Sequence, residues 1–180
     1  MPSFLIEPDI LYSYGHLETF PQETKINIDS FLRENCDFWY PGDSHAIFWL
    51  ANSNGEVLSM LTATESTIDN KQIIEIYNVC ASTTHRRKGY TKKLLELIIY
   101  QYPNIPLWLA VIFGNTSAFR LYTSLGFSYP EVTKTPPSGG QYDDYVISLI
   151  YNGDITNVDK VLTMDYIKLI HQKFNKKLDK

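Results

Sequence analysis

Residues 76–95 constrain the fold more than any other part of the chain. They open as an apolar, β-rich run, Ile76-Tyr77-Asn78-Val79-Cys80-Ala81-Ser82. They cross a short polar loop, Thr83-Thr84-His85-Arg86-Arg87-Lys88-Gly89, and continue as Tyr90-Thr91-Lys92-Lys93-Leu94-Leu95, where apolar residues recur at helical spacing through Leu97 and Ile98. A helix start presents backbone N–H groups with no intrahelical partner and the positive end of the helix dipole. A cation-rich, glycine-containing loop at such a start suits a pyrophosphate. From this segment alone, a solvated basic turn is an equally good reading.

The flanking sequence supplies a sheet for this unit to join. Residues 46–51 and 57–64 are apolar and strand-like, and the Asn54-Gly55 pair between them signals a hairpin. A strand over 73–82 follows, after a turn at Asp69-Asn70. Pro103 and Pro106 stop the helix that begins near Tyr90, and residues 107–113 read as the next strand. Ala118, Leu121, Tyr122 and Leu125 trace a second helix, with Gly126 at the left-handed cap position. Residues 128–133 and 144–151 read as two closing strands joined by a loop containing Pro136-Pro137-Ser138-Gly139-Gly140. Upstream, residues 3–6 read as a first strand and 22–40 carry a partly helical pattern. The order is an antiparallel meander, then strand, helix, strand, helix, then a terminal strand pair. This is an α/β (α+β) fold class with a mixed, mostly antiparallel sheet of six or seven strands flanked by helices.

Length and charge narrow the reading further. A chain of 180 residues needs no second domain. The expected division is one domain over 1–153 and a C-terminal helical extension over 154–180. In that extension Val161, Leu162, Tyr166, Leu169, Ile170 and Phe174 form one apolar helical face that packs on the domain or contacts another copy. The formal net charge of -4 argues against a general nucleic-acid binder and suits a cationic acceptor. The longest apolar run, 106–113, is too short to cross a bilayer, so no membrane partner is expected. The two cysteines, Cys36 and Cys80, lack a disulfide-framework spacing, and no signal-peptide pattern opens the chain, so a reducing, cytoplasmic setting is expected. Cys80 reads as a small buried residue rather than a nucleophile. The four histidines show no metal-ligand spacing, so no metal is predicted.

Two motifs in order carry a resemblance. Arg86, Gly89 and Thr91 resemble the Gln/Arg-x-x-Gly-x-Gly/Ala signature of the GNAT N-acetyltransferase superfamily, with Thr91 in place of the usual small residue and Thr83 where many members have Pro. Asn115, Ala118, Leu121, Tyr122, Gly126 and Phe127 resemble its Asn-x-x-Ala-x-x-Leu-Tyr-x-x-x-Gly-Phe run. The close resemblance covers about residues 73–129. It implies a V-shaped opening in the sheet for coenzyme A, and direct acetyl transfer from acetyl-CoA to a primary amine, of a small molecule or a protein, in a ternary complex.

By position, the resemblance assigns the pantetheine arm to the backbone around Val79, Cys80 and Ala81, with the Val79 N–H polarising the thioester carbonyl. It assigns the pyrophosphate to Arg86, Arg87, Lys88, Gly89, Tyr90 and Thr91, and a further cofactor contact to Asn115. Tyr122 holds the place of the acid that protonates the leaving thiolate; its alternative is a buried packing tyrosine. Glu75 precedes Arg86 by the spacing of the catalytic base in the histone-acetylating branch. A solvent-facing edge carboxylate, with water as the base, is the alternative there. Trp39, Tyr40, Tyr77, Tyr142 and Asp143 are candidates to border the acceptor. The competing functional class is a catalytically inactive acyl-CoA-binding or interaction module that keeps the cradle. A monomer or homodimer is expected.

Overall fold

The computed structural model of the chain describes residues 3–36, 45–68, 70–112, 115–128, 132–133 and 146–153. They fall into two compact units. One takes residues up to Ser66 together with Ile74–Pro103; the other takes Thr67–Ile73 and the residues from Asn104 onward. The C-terminal amphipathic helix read over 161–174 lies outside the described residues, as do Trp39, Tyr40, Tyr142 and Asp143.

The first unit carries β1 (Ser3–Glu7), β2 (Ile10–His16), α1 (Gln22–Asn35), β3 (Ala46–Asn52), most of β4 (Val57–Ile68) and of β5 (Lys71–Ala81), and α2 (Tyr90–Gln101). The strands lie in the order β1-β2-β3-β4-β5. The pairs β1/β2, β2/β3 and β3/β4 are antiparallel. Sequence reading missed β2. Its Leu11, Tyr12, Ser13 and Tyr14 pair with Ala51, Leu50, Trp49 and Phe48 of β3. The turn before it places Asp9 at φ 74, a left-handed position that aspartate tolerates better than most residues.

The β3–β4 hairpin forms where the Asn-Gly pair predicts it. Gly55 sits at φ 81, and Asn52 Oδ1 accepts hydrogen bonds from the N–H groups of Asn54 and Glu56. Alternation along β3 and β4 sends successive side chains to opposite faces. Ile47 and Met60 join Ile28 and Leu32 of α1, with Leu17 and Phe20, in one buried cluster. The next residue on β4, Ser59, meets Thr91 of α2 on the other face, Oγ to Oγ1 3.1 Å. The two helices therefore cover opposite faces of this unit's sheet. Leu94, Leu95 and Ile98 of α2 are fully buried, each contributing about 1.5–3 kcal/mol.

The second unit holds β6 (Leu107–Ile112), α3 (Thr116–Ser124), β7 (Val132–Thr133) and β8 (Val146–Tyr151). Its strands lie β6-β8-β7, both pairs antiparallel. The chain leaves α3 through Gly126 at φ 94, as predicted. The N–H groups of Leu125 and Phe127 both bond the Tyr122 carbonyl, at 3.0 and 3.1 Å.

One expectation is overturned. Cys36 and Cys80 are joined in a disulfide, with Cα atoms 5.6 Å apart across 44 residues of sequence. Neither the count nor the spacing of cysteines could reveal it, because the pair forms only once α1 packs its last turn against the end of β5.

Candidate active site

The C-terminal half of β5 is kinked by Asn78, whose φ of 48 is left-handed and whose Nδ2 donates to Thr62 Oγ1 at 3.2 Å. Beyond the kink lie Val79, Cys80 and Ala81. Ser59 Oγ donates to the Cys80 carbonyl at 2.8 Å, and the Ser82 N–H bonds the Leu58 carbonyl at 3.1 Å. The side chain and carbonyl of Cys80 are thus both engaged within the protein.

The loop that follows makes a 3-10 turn at Thr83–His85 and then enters α2 through two left-handed residues, Arg87 at φ 65 and Gly89 at φ 85. Gly89 is the N-cap of α2 and supplies no side-chain acceptor, so the first-turn N–H groups receive no side-chain cap. A Cβ built on Gly89 would meet nothing within 4 Å. Open space at Gly89, next to uncapped donors and exposed Arg87 and Lys88, fits a diphosphate. Arg86 is exposed too, but its Nη2 also reaches the Asn35 carbonyl at 3.4 Å. Asn35 Oδ1 accepts the Thr83 N–H at 2.8 Å, so the end of α1 braces the loop. Tyr90 lies half-buried against His85, ring centroids 6.2 Å apart.

Thr91 departs from the family's small residue, and its hydroxyl turns inward to Ser59 rather than outward. It ties the first turn of α2 to β4. Its N–H remains among those that no side chain caps.

On the opposite face of β5, the Tyr77 hydroxyl donates to Glu75 Oε2. Burial, helped by the hydrogen bond to Glu75 and by its charge, raises the Tyr77 phenol well above its usual pKa, so it stays protonated. The His45 ring meets Tyr77 edge-on at 5.7 Å and is itself buried. Glu75 and Tyr77 are both candidates from the sequence; their contact with each other, and that of Tyr77 with His45, is not written in residue spacing. The histidine spacing gives His45 no metal-binding role, and it is the sheet that sets its ring beside Tyr77. A cavity of about 910 Å³ also opens in this unit, lined by Tyr14, Phe20, Phe48, Glu65, Ile74 and Tyr102. Its lining residue Ile74 is next to Glu75 on the strand, and the Ile74 side chain points to the other side of the strand from Glu75.

In the second unit, Asn115 is the N-cap of α3, its Oδ1 accepting the Ala118 N–H at 3.1 Å. The Asn-x-x-Ala spacing is thereby explained as a cap. Tyr122 is 5% exposed and packs against Phe127, ring centroids 6.0 Å apart. Burial alone raises its pKa far above the usual phenol value, so the phenol stays neutral throughout the ordinary pH range. Among the described residues, no group of His, Cys, Asp and Glu is placed to hold a metal, and no helix is long and apolar enough to cross a membrane.

Comparison with known proteins places this architecture. The chain superposes on Arabidopsis thaliana NAA60 in complex with a bisubstrate analogue, with a TM-score of 0.61 and 15% identity over 78% of this chain and 98% of that one. It superposes on the ribosomal-protein-S18-alanine N-acetyltransferase of Escherichia coli with a TM-score of 0.55 and 22% identity, over 77% and 92% of the two chains. The fold is that of the acyl-CoA N-acyltransferases. Residues 14–127 match the acetyltransferase (GNAT) family model, and the chain belongs to that family. The [ribosomal protein bS18]-alanine N-acetyltransferase of Haemophilus ducreyi is 33% identical over 81 residues, 42% of this chain. The match spans 56% of that relative's length.

Proposed function

We propose that the chain is an acetyl-CoA-dependent N-acetyltransferase that moves the acetyl group directly to a primary amine. The observation that carries the reading is the start of α2: a left-handed glycine, first-turn N–H groups without a side-chain cap, and Arg87 and Lys88 exposed beside them. An acidic protein has little reason to gather uncompensated cations there unless a polyanion neutralises them.

Acetyl-CoA supplies the activated thioester. The N–H groups of the first turn of α2, with Arg86, Arg87 and Lys88, hold its diphosphate. The backbone of residues 79–81 holds the pantetheine arm, and the Val79 N–H stabilises negative charge on the carbonyl oxygen under attack. Glu75, oriented by the Tyr77 hydroxyl, takes the proton from the acceptor ammonium, directly or through water. Tyr122 gives its proton to the departing sulfur. The bS18-alanine relative makes a protein α-amine the first acceptor to test and a small-molecule amine the second. We place the transferase in residues 1–153 and the enzyme in the cytoplasm, as a monomer or homodimer.

The burial of Tyr122 favours a second reading, in which the phenol only packs and the chain is an inactive acyl-CoA-binding module. One assay separates the two. Released thiol is measured with acetyl-CoA against a panel of amines that includes a peptide with N-terminal alanine, and the product mass is then determined. A gain of one acetyl group on an amine supports the enzyme. Tight coenzyme A binding with no product from any amine supports the module, and no coenzyme A binding at millimolar concentration rejects both.

A further inference from the structure

The carbonyl of Asn78 lies 3.5 Å from Cys36 Sγ and 3.5 Å from Cys80 Sγ. That carbonyl and the Val79 N–H are two ends of one peptide group. In the disulfide state the sulfurs have no proton to give it. In the dithiol state the two sulfurs must move apart to van der Waals distance, and a small side-chain rotation lets either thiol donate to it, so the protein has a hydrogen-bonding partner close by for the reduced form. A donor on the carbonyl polarises the amide and strengthens its N–H as a donor in turn. The same disulfide fastens the last turn of α1, where Asn35 braces Thr83 and Arg86, to β5.

We infer that Cys36 and Cys80 form a reversible thiol–disulfide exchange site, acted on by small-molecule thiols and disulfides, whose oxidised form slows acetyl transfer by weakening the Val79 donor. This rests on the transferase reading above. Cys36 is half-buried and Cys80 is 8% exposed, so Cys36 is the sulfur an exchange partner reaches first. On oxidation the Cys36 thiolate attacks one sulfur of the small disulfide and expels a thiolate. The Cys80 thiolate then attacks Cys36 Sγ and expels the second, and the two protons pass to the departing thiolates. Reduction reverses both steps. A disulfide in a chain proposed to work in the cytoplasm is of the cycling kind rather than a permanent staple. Cys36 acts here through the Asn78–Val79 peptide and touches no substrate.

The test equilibrates the full-length chain with reduced and oxidised glutathione at a series of ratios. Free thiols are counted by alkylation and mass, and kcat, acetyl-CoA KM and calorimetric coenzyme A affinity are measured at each ratio. The oxidised form should lose about two- to tenfold in kcat, the scale of one net hydrogen bond, with affinity nearly unchanged. Reduced glutathione should restore it. Cys36→Ser should hold the higher kcat at every ratio. Equal kcat in the two states, a mass that does not follow the ratio, or a Cys36→Ser enzyme that still responds to glutathione overturns the inference. If Cys36→Ser does not fold, the wild-type titration still decides, because kcat must track the measured disulfide fraction. A protein that exchanges its disulfide but binds no coenzyme A in either state brings down the transferase reading, and this inference with it.

Discussion

The loop of residues 82–91 and the helix segment of residues 115–127 carry the chain's two family motifs, and they are built in opposite ways. The loop puts its motif residues to exposure: left-handed Arg87 and Gly89, cations in solvent and helix donors without a side-chain cap. The α3 segment spends its residues on closure. Asn115 caps the helix, Tyr122 is buried, its carbonyl takes two N–H groups, and Gly126 turns the chain out at φ 94. A motif that binds must leave polar groups unsatisfied by the protein, whereas a motif that shapes must satisfy them. The Tyr122 hydroxyl is where the second segment departs from that division, since it is assigned both packing and chemistry.

The sharpest way to break the contrast is Tyr122→Phe, which keeps the ring and removes the proton. For the acid we assign, kcat should fall about 10²- to 10⁴-fold with coenzyme A affinity unchanged. A loss below threefold in steady-state kinetics would make Tyr122 a packing residue only. Gly126→Ala comes next. Its Cβ would sit 3.3 Å from the Tyr151 ring on a backbone at φ 94, so a stability loss of about 1–3 kcal/mol is expected in chemical denaturation. Gly89→Ala has the same backbone problem but open space around the methyl. Its backbone strain, about 1–2 kcal/mol, should lower the thermal midpoint less than Gly126→Ala does, and the displaced first-turn donors should weaken coenzyme A affinity roughly tenfold by calorimetry. If Gly89→Ala instead destabilises the fold as much as Gly126→Ala does, the loop is structural and the contrast fails.

Asn115→Ala should cost about 1 kcal/mol, the value of a lost N-cap, and leave acetyl-CoA KM alone. A KM change larger than the stability change would show that Asn115 also contacts the cofactor, as the resemblance implies. The smallest effect at ordinary pH comes from the buried phenols. Tyr12, Tyr77, Tyr102 and Tyr122 all have pKa values raised above 10.0, chiefly by burial. In the unfolded chain they ionise near 10, releasing protons that the folded chain retains. Stability should therefore be flat with respect to these groups below about pH 10 and fall above it. A thermal midpoint that rises between pH 10 and 11 would contradict this.

Much of the fold was legible because it rests on local physics. The Asn-Gly hairpin, the proline stops, the helical stripe through Leu94 and Ile98 and the Gly126 cap all depend on residues a few positions apart, so pattern and structure agree. β2 was not legible. Its Leu11, Tyr12 and Tyr14 follow a turn at Asp9 that no glycine or proline marks, and the strand is defined by pairing with β3, more than thirty residues away. The helical reading of 22–40 runs past Asn35, where α1 ends with no glycine to announce the stop, and its residues 37–40 lie outside the described residues.

By itself the sequence determined the order of elements, the cationic turn into α2 and the family to which both motifs belong, because each is written in short-range spacing. Only the tertiary structure decided that Cys36 reaches Cys80, that Asn35 braces the loop, that Thr91 turns inward to Ser59, and that His45 stands against Tyr77. Those contacts join residues brought together by helices packing on opposite faces of one sheet, and no local pattern encodes which residues such packing will make neighbours.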